Sequence, residues 1–172
     1  MALFNKQFLK AIVLIERQLP ENKFQSIATG FLVGFAVNNE SDLSKRQYRI
    51  FLLTNRHVFS GQDQLWVRFD KKDLQNTARF PIQLKIKEEI KWLAHKDEKV
   101  DLAMLTISPD FLNQNAVDWS FINEEMFAYP EKFEEIGIEL GDSIFLTGFP
   151  LGISGNERNY AIVRSGTVAR ID

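Results

Sequence analysis

The sequence contains no cysteine, which removes disulfides and thiolate zinc sites as sources of stability or chemistry. It also lacks long apolar runs. Stretches such as AIVLI at 11–15 are far too short to span a bilayer. They have none of the cationic start, longer apolar segment and small-residue cleavage site of a secretory leader, so the expectation is a cytoplasmic protein with no membrane partner. Charge of one sign is scarce as well. The formal net charge is −2 and Lys/Arg form no dense block, so no field is offered to a nucleic-acid backbone. Histidine occurs only twice, at 57 and 95.

What is present is an ordinary globular composition, 45% apolar and 26% charged, over 172 residues, enough for one good core or two small ones. Phe4, Phe8, Ile12, Ile15 and Leu19 fall at helical spacing, but KAIVLIER is rich in β-branched residues, and LPEN bounds it. The pattern predicts a short helix near 3–9 running into a strand at 10–17. From there the chain reads as β. Strands are expected at 26–37, with two internal glycines that suit a bend or a close backbone approach, and at 47–55, after a polar turn at 38–46. Further strands are expected at 64–69, at 79–87, where Phe80, Ile82, Leu84 and Ile86 alternate, near 89–94, and at 102–107.

Hairpin-length connections between these strands point to an all-β fold, a small antiparallel barrel or sandwich covering residues 1–107 with its short N-terminal helix. Residues 108–140 form a long connection holding Phe111, Trp119, Phe121, Phe127, Tyr129 and Phe133, expected to lie across the outside of a barrel or between two. β segments resume at 141–152 and 160–171.

The chemistry centres on FLLTNRHVFSG at 51–61. His57 stands just beyond an apolar strand, where a rigid element can hold a loop residue in place. A histidine there is commonly no more than a strand-end residue. However, EKVDLAMLTI places Asp101 directly before another apolar run. Histidine then aspartate is the chain order of a chymotrypsin-type triad, and it fits neither the subtilisin nor the α/β-hydrolase order. His95, Asp97 and Glu98 in HKDEKVD are metal-ligating residue types, but their close clustering among lysines reads as a solvated loop, so no metal or cofactor is expected.

Together, ATGFLVGF, YRIFLLTNRHVF, KVDLAMLTI, GDSIFLTGFPLG and VRSGTVARI resemble the trypsin-like serine peptidases of the bacterial type, related to the high-temperature-requirement proteases. The resemblance runs from about Ile12 to the C-terminus and is weakest over 108–140. TNRHV is similar to that family's Thr-x-x-His-Val segment and VDLAML to its Asp-Leu-Ala segment. This implies His57 as general base and Asp101 as orienting carboxylate, on a fold of two antiparallel barrels that cleaves a polypeptide substrate without a cofactor. The family's nucleophile lies in a Gly-x-Ser-Gly-Gly segment, and none occurs here. Ser154, in GISGN, has Gly-x-Ser-Gly without the last glycine and reads first as a turn; Ser165 lies inside an apolar strand.

The 32 residues from Gly141 onward suffice for roughly two or three strands, the start of a second barrel. The expectation is therefore a serine endopeptidase whose nucleophile these residues do not supply, inactive alone and able to self-associate through its unfinished strands. A catalytically dead, protease-like binding or scaffolding module stands as the alternative.

Overall fold

In the computed structural model, which describes residues 4–38, 40–42 and 45–170, the alternating stretches become strands of one largely antiparallel sheet. The strands are β1 (Ile12–Gln18), β2 (Phe24–Ala36), β3 (Tyr48–Thr54), β4 (Gln64–Asp70), β5 (Thr77–Gln83), β6 (Lys85–Ile86), β7 (Glu89–Ile90), β8 (Leu93–Ala94), β9 (Ala103–Ile107), β10 (Ile122–Asn123), β11 (Ser143–Gly148) and β12 (Ile162–Thr167). The main sheet runs β5-β4-β1-β2-β3-β9-β8, with β10 added parallel to β2. β6 with β7 and β11 with β12 form separate two-stranded pairs.

The N-terminal turn expected near 3–9 is a 3₁₀ helix at Lys6–Ala11, started by Asn5, whose side chain accepts from the Gln7 amide; residue 3 lies outside the described residues. β12 is shorter than the expected 160–171, whose last position also lies outside them.

β2 organises the sheet. Its first half pairs with β1 and its second half with β3, from Phe31 onward. Both internal glycines are sites of close approach. A Cβ on Gly30 would stand 2.6 Å from Leu52 Cδ1, and one on Gly34 would stand 2.4 Å from the Phe121 ring. Val13, Ile15, Leu32, Ile50, Leu52 and Phe59 fill the core beneath and are at most 1% exposed. Each such side chain contributes about 1.5–3 kcal/mol by leaving water.

Two expectations need correction. The strand read over 79–87 breaks after Gln83. Leu84, fully buried, turns inward, and the amides of Leu84 and Lys85 both donate to the Asp63 carbonyl. Lys87 and Glu88 then take left-handed φ of 48° and 69°, folding β6 back on β7.

The second correction concerns closure. The sheet is not a hydrogen-bonded ring over 10–107, because β5 and β8 end it without pairing to each other. α2 (Pro109–Gln114), begun by a Ser108 side-chain cap on the Phe111 amide, supplies the filling instead. Phe111 meets Phe80 of β5 edge to face at 4.9 Å, and Leu112 is 1% exposed. A cavity of about 290 Å³ remains along this seam between β5 and β9. Side chains rather than backbone join the two edges.

The connection expected over 108–140 is structured. It contains α2, β10, a 3₁₀ turn at Glu124–Met126 and α3 (Pro130–Ile136). Trp119 and Phe121 pack on the core, and Phe121 also meets Tyr48 at 4.9 Å.

A buried charge network ties the β11–β12 region to the sheet. Glu16 and Arg68 are 2% and 3% exposed. Glu16 accepts from Arg79 Nε at 2.6 Å, and Arg68 lies 3.8 Å from its other oxygen. Arg68 donates to Asn159 Oδ1 at 2.7 Å and to the carbonyls of Ser154 and Gly155 at 3.2 and 2.9 Å. Burial pulls the guanidinium below its ordinary value while Glu16 opposes that pull. Nearby, the Phe149 amide donates to Thr29 Oγ1 at 2.9 Å.

Candidate active site

β3 delivers the residues that matter. Its last residue, Thr54, pairs with Ala103 of β9 and donates its hydroxyl to the Thr29 carbonyl at 3.0 Å. Pairing therefore fixes the end of β3 on both sides. Asn55 leaves the strand with extended backbone, and α1 (Arg56–Phe59) follows as a single helical turn. Val58 and Phe59 are buried and anchor that turn in the core, which leaves His57 at its outer surface.

Asp101 arrives from the other direction, two residues before β9. The register of β3 on β9 sets its position, since Thr54 and Ala103 are partners. Asn55 Nδ2 donates to the Asp101 carbonyl at 3.1 Å, and Arg56 donates to the Glu98 carbonyl, so the two loops are tied directly.

The carboxylate of Asp101 then grips His57 twice across 44 residues of sequence. Oδ1 accepts the His57 backbone N–H at 2.9 Å, and Oδ2 lies 2.6 Å from ring Nδ1. An ionised carboxylate has no proton to give, so Nδ1 donates and the lone pair of the neutral ring falls on Nε2. No described residue hydrogen-bonds Nε2. These contacts, the backbone N–H of His57 first and its ring second, hold the Asp101 carboxyl below the ordinary aspartate value.

The pair is open to water. The His57 side chain is 72% exposed and that of Asp101 44%. Its geometry therefore comes from hydrogen bonds and strand register, without the strengthening that a dry site would add. An apolar cleft of about 500 Å³ is lined by Leu53, Leu93, Leu102 and Met104 with His95 and Lys96, and reaches the pair only through Leu102, the chain neighbour of Asp101.

The other candidate residues are placed elsewhere. His95 serves its own loop, with Nδ1 accepting from the Asp97 amide at 3.1 Å. Asp97 caps the amide of Lys99. Ser154 is 8% exposed, and its carbonyl accepts from Arg68 and from the Tyr160 amide. It makes no hydrogen bond to His57. Ser165 is exposed on β12, opposite Phe145.

Sequence reasoning overlooked Asn55 and Arg56, which join the two loops, and the buried charges Glu16 and Arg68. The signal for the first two was the polar cluster TNR packed immediately after an apolar strand. For the others it was a charge entering an apolar strand run, Glu16 directly after IVLI and Arg68 between Val67 and Phe69.

No protein-family model matches the chain, and no curated protein does either.

Proposed function

We propose that the chain is the histidine- and aspartate-bearing part of a trypsin-like serine endopeptidase, on a fold of the two-barrel type in which residues 141–172 begin the second barrel. The observation that carries this reading is the double grip of Asp101 on His57, reached across 44 residues and leaving Nε2 open as a base. A histidine that merely capped a strand end would have no need of a carboxylate on Nδ1.

In the proposed reaction a substrate carbonyl is attacked by a serine hydroxyl. His57 Nε2 takes the hydroxyl proton as the new C–O bond forms and gives it to the amine as the C–N bond breaks. Asp101 holds the tautomer and stabilises the imidazolium between those steps. Among the described residues no hydroxyl hydrogen-bonds Nε2, and the serine and the amides that stabilise the oxyanion are proposed to come from residues outside these 172. The apolar cleft that reaches Leu102 suits polypeptide as substrate.

A second reading, a protease-like binding module without activity, is favoured by one observation: the 172 residues hold no Gly-x-Ser-Gly-Gly segment. A fluorophosphonate probe separates the two when applied to this chain and to the chain carrying whatever its gene encodes after Asp172. Labelling of the longer form alone, lost on His57→Ala, is the expected result. Labelling of the 172-residue chain, abolished by Ser154→Ala, would make Ser154 the nucleophile. No labelling of either form would leave the binding module as the reading to adopt.

A further inference from the structure

Away from His57, a cavity of about 300 Å³ lies between the N-terminal 3₁₀ helix, the end of β4 and the segment before β12. Lys6, Lys10 and Arg158 face it, as do Asp70 and Asp118. Both carboxylates already have partners. Asp118 takes Lys10 Nζ at 2.7 Å, and Asp70 accepts the Asn159 amide at 2.8 Å. Lys6 and Arg158 form no ion pair among the described residues. Arg158 is the odder of the two. Its Nε is buried with no hydrogen-bond acceptor among the described residues, and its guanidinium lies 5.9 Å from the centre of the Tyr160 ring.

A buried guanidinium N–H without an acceptor costs free energy that a carboxylate oxygen would recover, and the planar fork of arginine suits a carboxylate bidentately. Leu9, Ile12 and Phe69 give the same cavity an apolar wall. The size is at the small end of ligand sites, and Asp70 and Asp118 would repel a second negative charge. We propose that this cavity binds a monocarboxylate carrying a short apolar group, with Arg158 and Lys6 holding the anion and Leu9, Ile12 and Phe69 the tail. The carboxylate belongs either to a free organic acid or to the C-terminus of a polypeptide. Nothing in this proposal depends on the peptidase reading.

The test is a titration of the 172-residue chain followed by backbone amide shifts. The probes are 4-methylpentanoate, its amide, acetyl-alanyl-leucine with a free C-terminus, and inorganic phosphate. Saturable shifts confined to the cavity lining, residues 6–12, 69–74, 118 and 158–161, from the acids and not from the amide, are expected. Arg158→Gln should weaken binding about tenfold or more, the loss of one charge-assisted contact. Lys6→Gln provides a second variant should Arg158→Gln unfold the loop. Tighter binding of the dipeptide assigns the site to chain termini, and tighter binding of 4-methylpentanoate assigns it to free acids; either supports the proposal. Shifts elsewhere or none, equal binding of the amide, preference for phosphate, or full affinity in both variants would overturn it.

Discussion

β3 and β11 carry nearly the same string, Ile-Phe-Leu-Leu-Thr in one and Ile-Phe-Leu-Thr in the other. In β3, Ile50, Phe51 and Leu52 are 1%, 9% and 0% exposed. In β11, Ile144, Phe145 and Leu146 are 47%, 37% and 61% exposed. The local sequence is the same and the surroundings are opposite. β3 has β2 on one side, β9 on the other and the core beneath, whereas among the described residues β11 is hydrogen-bonded to β12 alone and otherwise meets side chains such as Phe4. Strand propensity thus makes a strand in both places, while neighbours decide what the strand is worth, because β preference largely measures packing against partners.

The sharpest way to break this comparison is to truncate the matching leucines. Leu52→Ala should cost about 2–5 kcal/mol in urea unfolding, the usual range for a buried leucine. Leu146→Ala should stay within about 0.5 kcal/mol. Equal costs would mean that β11 is as firmly packed as β3.

Next comes the tie between the two regions. Arg68→Ala should cost about 3 kcal/mol, since a buried charge network loses a member, although Glu16 keeps Arg79. Amide exchange in β11 and β12 should accelerate more than in β3. Unchanged protection of the hairpin would show that Arg68 does not hold it. A smaller loss, about 1–3 kcal/mol, is expected for Gly30→Ala, which drives a methyl against Leu52 Cδ1. If thermal unfolding is unaffected, β2 and β3 are less closely apposed than described.

The smallest effect concerns pH. Folding holds the Asp101 carboxyl below its ordinary 3.8, so its contribution to stability is complete above that value and fades as pH falls through the lower folded one. The stability gap between the wild type and Asp101→Asn should therefore shrink as pH falls below that ordinary value. A gap that stays constant as the solution is taken into acid would show that the Asp101 carboxyl is not held below its ordinary value.

The sequence was legible where a pattern and its partner both lay within one element. β1, β2, β3, β4 and β9 lie within a few residues of their expected bounds because apolar or alternating runs bounded by polar turns mark where a buried strand starts and stops. Residues 57 and 101 were singled out by their order in the chain and by the resemblance; the β3–β9 register that brings them together was not readable. What stayed hidden depends on long-range competition. Lys87 and Glu88 are poor advertisements for a left-handed turn, and only the inward pull of Leu84 explains the break there. The Ser108 cap that starts α2 and the role of that helix in filling the β5–β9 seam both lay unread in a stretch expected to be a long connection. Barrel closure is a property of edges, and no local string encodes an edge.

The two-handed hold of Asp101 makes the site a keyed socket rather than a simple tether. Were residue 101 an asparagine, its single carbonyl oxygen would be claimed by the His57 main-chain N–H, the partner that cannot change role. The amide NH₂ would then face Nδ1, which must present a lone pair to meet it, and the ring proton would move to Nε2. The amide cannot flip to avoid this without leaving the backbone N–H unmatched. A change of one atom would leave the shape of the site intact while reversing the direction in which its histidine can pass a proton.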